Sequence, residues 1–131
     1  MKKYIGTKTV YAQPMTADEA KEKGYKVGDN TGNGYEVEYK DGYKSWCPCK
    51  AFEAAYLIAE TPLDRMEIER SELAEKIYKL RDFLVRQQGK LAEIVGEAQA
   101  KLMLIQFHAM ETYYECLYAR IVELKRKESE K

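Results

Sequence analysis

Thr61-Pro62-Leu63-Asp64-Arg65-Met66-Glu67-Ile68-Glu69-Arg70-Ser71-Glu72-Leu73-Ala74-Glu75-Lys76-Ile77-Tyr78-Lys79-Leu80-Arg81-Asp82-Phe83-Leu84 is the stretch that decides the fold. Thr61 suits an N-cap, Pro62 the first helical position, and Asp64 lies three residues after the cap. Met66, Leu73, Ile77, Leu80 and Leu84 then follow an alternating four-and-three spacing, interrupted where Arg70 falls on it. This is a long helix with one apolar stripe. Gln87-Gln88-Gly89 weakens it, and a connection with room for one helical turn runs to Gly96. A second long helix is expected from about Glu97 to Lys127, with Leu102, Ile105, Ala109, Tyr113, Leu117, Ile121 and Leu124 on its main stripe. Met103, Leu104, Phe107, Met110 and Tyr114 fall off that stripe. The pair reads as an antiparallel helical hairpin carrying more apolar surface than one small sheet can cover. Self-association through the helices is the economical solution.

Upstream of Thr61 the composition changes. Six of the eight Gly and seven of the eleven Tyr lie there, and all six Arg lie after it. Tyr4–Tyr11 is rich in β-branched and aromatic residues and reads as a strand. Thr16-Ala-Asp-Glu19 fits a capping box for a short helix that stops at Gly24. Gly28–Gly34 reads as a mobile loop. Tyr35-Glu-Val-Glu-Tyr39, Lys40-Asp41-Gly42 and Tyr43-Lys-Ser-Trp46 read as a β-hairpin, because Asp-Gly tolerates a tight turn. Pro48 suits a first helical turn, with a helix continuing through Ala51–Ile58. The expected architecture is α+β: a small N-terminal antiparallel sheet module with short helices (residues 1–60) packed on a long helical hairpin (61–131), the two forming one compact unit.

The chain has 131 residues with 22 Lys+Arg against 22 Asp+Glu, so its formal net charge is zero. That argues against bulk binding to DNA, RNA or an anionic membrane, which calls for a net basic face. No apolar run is long enough to span a bilayer, and Met1–Thr7 lacks the apolar core of a signal peptide. Three Cys at no disulfide-framework spacing suit a reducing cytoplasm. Cys47-Pro48-Cys49 invites a metal reading, but the ligand count is short of a structural zinc site, and two ordinary thiols at a strand–helix junction is the preferred account. His108 is the single histidine, so a Cys–His or Ser–His nucleophile pair would have to use it; beside Leu104 and Met110 on an apolar helix, it reads instead as a structural histidine at the hairpin or an oligomer interface. Paired carboxylates such as Glu67/Glu69 and Glu72/Glu75 read as solvated faces. No phosphate loop, nucleophile elbow or metalloprotease motif is present. Neither a catalytic group nor a metal site nor a cofactor is expected.

What remains suits a binder. Aromatic faces stack on nucleobases and Arg forks hold phosphates. Arg81 and Phe83 lie near the end of the first long helix, and Tyr113 and Arg120 are seven apart, on nearly one face of the second. Arg65, Lys76 and Arg120 would then face a pocket built between protomers. On residue chemistry alone the bland alternative is favoured: Phe83 as core, and these cations paired with Glu69, Glu72 and Glu123.

Two longer stretches carry a resemblance. Gly34-Tyr35-Glu-Val37-Glu-Tyr39-Lys-Asp41-Gly42-Tyr43-Lys-Ser45-Trp46-Cys-Pro48, followed by Phe52-Glu-Ala-Ala-Tyr56, resembles a small phage-encoded module that the opening Met1–Lys8 also fits. It departs from that pattern at Cys47, usually Ser, and at Leu57, often Arg. Arg65-Met-x-Ile68-Glu69-x-x-x-Leu73-x-x-Lys76-Ile77-x-Lys79-Leu80-x-x-Phe83-Leu84, with Ala109-Met110-x-x-Tyr113-x-x-x-Leu117-x-x-Arg120-Ile121, looks like the helical hairpin shared by phage anti-CBASS and anti-Thoeris signal sponges. The two modules in this order resemble the Thoeris anti-defence sponge family, and the likeness covers nearly the whole chain. The resemblance implies a phage or prophage protein acting in the cytoplasm of the bacterial host. Such a protein binds and hides a glycocyclic ADP-ribose isomer made by a TIR-domain protein, without degrading it. The likeness further implies dimers that can build hexamers, and in some members separate pockets for cyclic di- or trinucleotides. On that reading Phe83 stacks on the adenine and Arg120 contacts a phosphate. Trp46 closes the pocket from the sheet module or packs as core beneath it. Arg65, Lys76 and Tyr113 are second-rank ligand contacts, and the missing Arg at position 57 removes one further phosphate contact. The competing accounts are a hairpin that serves a protein partner and, behind it, an enzyme that destroys the same signal.

Overall fold

The computed structural model describes residues 1–130, and they divide into two units, Met1–Leu57 and Ile58–Lys131. The first contains a three-stranded antiparallel sheet in the order β1 (Tyr11–Pro14), β2 (Gly34–Glu38), β3 (Lys44–Pro48), with helices α1 (Ala17–Glu22) and α2 (Cys49–Ala55). The second contains α3 (Pro62–Arg86), a single-turn α4 (Leu91–Val95) and α5 (Glu97–Ser129).

The β2–β3 hairpin forms as its sequence predicts. The Tyr39 amide donates to the Tyr43 carbonyl, Gly42 takes φ +89°, and Asp41 Oδ1 accepts from the Tyr43 amide at 3.0 Å. The expected strand over Tyr4–Tyr11 does not form. Strand β1 begins only at Tyr11, which pairs with Glu38, and β2 ends at that residue. Residues 4–10 therefore have no neighbour to pair with, and β-propensity without a partner makes no ladder. Helix α2 ends at Ala55, leaving Leu57 and Ile58 outside it and exposed.

Both faces of the sheet are covered. Trp46 packs with Met15, Ala17, Ala20 and Val27 on the face that α1 closes. Its indole N–H donates to the Met15 carbonyl at 2.8 Å. On the other face Val37 is 1% exposed, and Tyr35 stacks on Phe52 of α2 with centroids 4.2 Å apart. Gly34 lies where a Cβ would fall on the Trp46 ring and the Cys47 carbonyl. Glu36 shares the Trp46 face and is held by Tyr25 Oη at 2.6 Å and Gln13 Nε2 at 2.7 Å, which together with Lys23 keep its carboxyl below the usual range.

Helix α3 opens on a full capping box. The Thr61 hydroxyl accepts from the Asp64 amide and the Asp64 carboxylate accepts from the Thr61 amide. That satisfies two donors left free at a helix start. Helices α3 and α5 pack antiparallel, as the Lys125–Glu67 ion pair at 2.9 Å fixes.

The seam on α5 differs from the expected stripe. Met103, Phe107, Met110, Tyr114, Leu117, Ile121 and Leu124 are buried or half-buried, and Leu102, Ile105, Ala109 and Tyr113 are exposed. The observed set keeps a strict four-three alternation. Two helices in continuous contact require that period, whereas the expected stripe drifts round the helix through successive steps of four. Arg70 sits on the α3 seam, where its Nε donates to Glu67 at 3.1 Å. A polar layer of this kind specifies register at some cost in stability.

Two outcomes follow from these contacts. Gly34→Ala should destabilise the sheet unit by about 1–3 kcal/mol through overpacking, read as an earlier loss of native Trp46 fluorescence on heating. The Glu67 carboxyl is held below its ordinary value by Lys125 and then Arg70. Its stabilising contribution is present above the unfolded-state pKa and is lost as pH falls through the lower folded value. Thermal melts of the hairpin by circular dichroism should therefore weaken progressively below about pH 4.5, and Glu67→Gln should flatten that dependence.

Candidate functional site

A concavity lies in each unit. In the sheet unit a space of about 410 Å³ is lined by Pro14, Met15, Thr16, Glu19, Asn33, Gly34, Tyr35, Cys49 and Glu53. None of these is basic. Tyr35 Oη donates to Glu53 at 3.1 Å and Thr16 Oγ1 to Glu19 at 3.1 Å. Two carboxylates and no cation make this an unfavourable place for a phosphate. The Glu53 carboxylate, and then burial, also push the Cys49 thiol up, and burial alone raises Cys47, so neither is an activated nucleophile.

The hairpin holds the second concavity, an open groove of about 380 Å³ lined by Lys76, Lys79, Leu80, Phe83, Met103, Gln106 and Met110. Its floor is apolar and polarizable, its rim carries two ammonium groups, and no carboxylate lines it. Thioethers and an aromatic ring accept a flat ring by dispersion and stacking. Lysines at the rim hold anions as point charges. Phe83 is half-buried and Lys76 exposed, so both remain accessible. Lys79 contacts Glu75 at 3.0 Å, but that pair is highly exposed and therefore weak.

The structure places the remaining sequence-derived candidates as follows. Arg65, Lys76 and Phe83 recur on one face of α3 at intervals of eleven and seven residues, close to whole turns. Gln106, Tyr113 and Arg120 do the same on α5 at intervals of seven. Because Phe83 and Gln106 line one groove, the two rows border the same side of the hairpin. Among the described residues, Arg65, Lys76 and Arg120 have no carboxylate within 4.0 Å; Glu67, Glu75 and Glu123 pair instead with Arg70 and Lys125, Lys79, and Arg126.

Phe83 and Arg120 are not brought together within one chain. Arg120 follows Gln106 by fourteen residues, about 21 Å along the axis. Trp46 takes the second of the two roles considered for it: at 8% exposure, with its N–H satisfied inside the sheet unit, it presents no ring face to a ligand. Lys79, Met103, Gln106 and Met110 were not singled out from sequence as ligand contacts. Reading α5 on the strict four-three seam would have placed Met103 and Met110 opposite Leu80 and Phe83. Among the described residues no three His, Cys, Asp or Glu side chains converge on a possible metal position. His108 is exposed, with Nδ1 3.5 Å from Glu111. No helix is long and apolar enough to cross a membrane among the described residues.

The family model Sequestin matches residues 60–123, which is 64 of the 131 residues. The matched span takes in α3, α4 and most of α5, including every residue of the groove. No curated protein and no solved structure matches the chain.

Proposed function

We propose that the chain is a sequestering protein, not an enzyme, and that its hairpin captures a small nucleotide signal. The observation that carries this reading is the groove that sets Phe83 beside the unpaired Lys76, with no carboxylate in its lining. Aromatic surface next to uncompensated positive charge is what a base joined to phosphate requires. The likeness to Sequestin, whose name denotes sequestration, supports a binding role for the same segment.

The ligand proposed is a glycocyclic ADP-ribose isomer made by a TIR-domain protein. Holding it intact would keep a Thoeris effector inactive, as suits a phage or prophage protein in the host cytoplasm. This specificity rests on the sequence resemblance in both halves of the chain. Phe83 stacks on the adenine, and Lys76 with Lys79 faces the phosphates. An open groove covers a ligand from one side, whereas tight sites enclose most of it. Sequestration at a Kd of about 1 nM needs about −12 kcal/mol. Assembly of copies, as dimers or hexamers, supplies the missing walls, and Tyr113, Arg120 and Arg65 lie on the side of the hairpin where a second copy can bring them to the ligand. Cyclic di- or trinucleotides would occupy a separate site.

A recovery experiment tests this. The protein is incubated with glycocyclic ADP-ribose, filtered, heat-denatured, and the released material is analysed by mass spectrometry. Intact ligand, depleted from the filtrate and returned on heating, is the expected outcome. Ligand lost and not returned intact would mean an enzyme; ligand never depleted would point to another nucleotide or a protein partner. Phe83→Ala should abolish capture while circular dichroism stays helical, and full affinity in that variant would remove the stacking role. Lys76→Glu should weaken capture at least tenfold, a change of about 1.4 kcal/mol. An unchanged affinity in Arg120→Glu would place the phosphates away from that residue.

A further inference from the structure

Most of the groove's lining can recognise shape and charge but not the identity of a base. Leu80, Phe83, Met103 and Met110 offer apolar surface, and Lys76 and Lys79 offer donors alone. Gln106 is the exception, because its primary amide holds a donor and an acceptor side by side. Met103 lies three residues before it and Met110 four after, so all three share one face of α5 and the amide emerges between two thioethers. Gln106 is exposed, and its Nε2 donates to the Met110 sulfur at 3.8 Å. A thioether is a weak acceptor, so this contact costs little to exchange for a better one.

The position suits the edge of a base. Phe83 belongs to α3 and Gln106 to α5, and the two line the same groove. A purine that lays its face on the Phe83 ring turns an edge toward the α5 wall. Adenine presents an acceptor, N7, beside a donor, the N6 amino group, and a glutamine amide pairs with both at once. Guanine and hypoxanthine present two acceptors there, N7 and O6. Against them the amide makes one bond and sets its carbonyl oxygen against O6. Apolar neighbours sharpen the difference, because a polar group facing the wrong partner between thioethers is poorly compensated. The lysines cannot supply this preference, since donors alone match N7 with O6 better than N7 with an amino group.

We propose that Gln106 is the base-reading residue of the groove: its amide pairs with the N6 and N7 edge of an adenine stacked on Phe83 and so selects adenine over other purines. This rests on the reading that a nucleotide enters the groove, and adds the residue that decides which base it carries. Lys76 lies seven residues before Phe83, about 10 Å along α3, so charge is met from one wall and base identity from the other.

Two mononucleotides test the assignment by nuclear magnetic resonance. The isotope-labelled chain is titrated with 5′-AMP and with 5′-IMP, in which an oxo group replaces the N6 amino group. The Gln106 side-chain amide signals should shift with 5′-AMP, which should bind about tenfold or more tighter than 5′-IMP. Gln106→Leu, at an exposed position, should keep its helical signal and bind both nucleotides alike, with the 5′-AMP affinity falling to that of 5′-IMP. Phe83→Ala should weaken both together. Equal affinities in the wild type, a preference that survives in Gln106→Leu, unmoved Gln106 amide signals, or no binding of either nucleotide would overturn the inference. A Gln106-dependent preference for 5′-AMP in protein that fails to retain glycocyclic ADP-ribose would remove that ligand and leave the base reading standing. Retention of glycocyclic ADP-ribose without the preference would do the reverse.

Discussion

Two helices in contact along a single line can bury only one stripe each, and the hairpin is organised by that limit. On α3 the stripe centres on Leu73 and Ile77, on α5 on Leu117 and Ile121, the four buried residues at its middle. Everything off the seam must be stabilised by solvent, by ion pairs along one helix, or by another surface. Several charges take the second course, as Arg126 does with Glu123 and Glu130. Arg70 is the exception on the seam, where Glu67 supplies the partner that an apolar layer would lack.

The groove is a consequence of the same geometry. Where the seam ends in longer, softer side chains, Met103 and Met110 against Leu80 and Phe83, the helices leave a shallow trough beside it. The sheet unit differs in kind. Its concavity is lined by carboxylates already engaged by neighbouring hydroxyls. Its one indole is spent on holding the sheet to the segment before α1. Chemistry suited to an anion is therefore concentrated in the helices, although the chain as a whole is neutral.

Features set by short-range chemistry were legible in the sequence. The Thr61 cap, the Asp41-Gly42 turn and the long helix of α3 each depend on a few adjacent residues, and each stands where expected. Features set by a partner element were not. Tyr4–Val10 has strand composition but no neighbour, and the α5 stripe was misassigned because two apolar rows overlap from Leu117 onward. The same overlap hid half of the groove: Phe83 and Lys76 stood out by chemistry, whereas Met103 and Met110 looked surplus until α3 fixed which row faced inward. Trp46 was legible as an important residue but not by role, since only the contact with the Met15 carbonyl separates core from binding surface.

The boundary between the units falls at Leu57 and Ile58, and the family match begins two residues later, at position 60. Every residue of the α3–α5 seam, its cap and its groove lies on the C-terminal side of that joint. A crossover between genes at this point would transfer the hairpin whole, with its packing code intact. The contacts that join α3 to α5, the cap and the groove are thus all drawn from one continuous stretch of chain, and a segment begun at this joint carries every one of them.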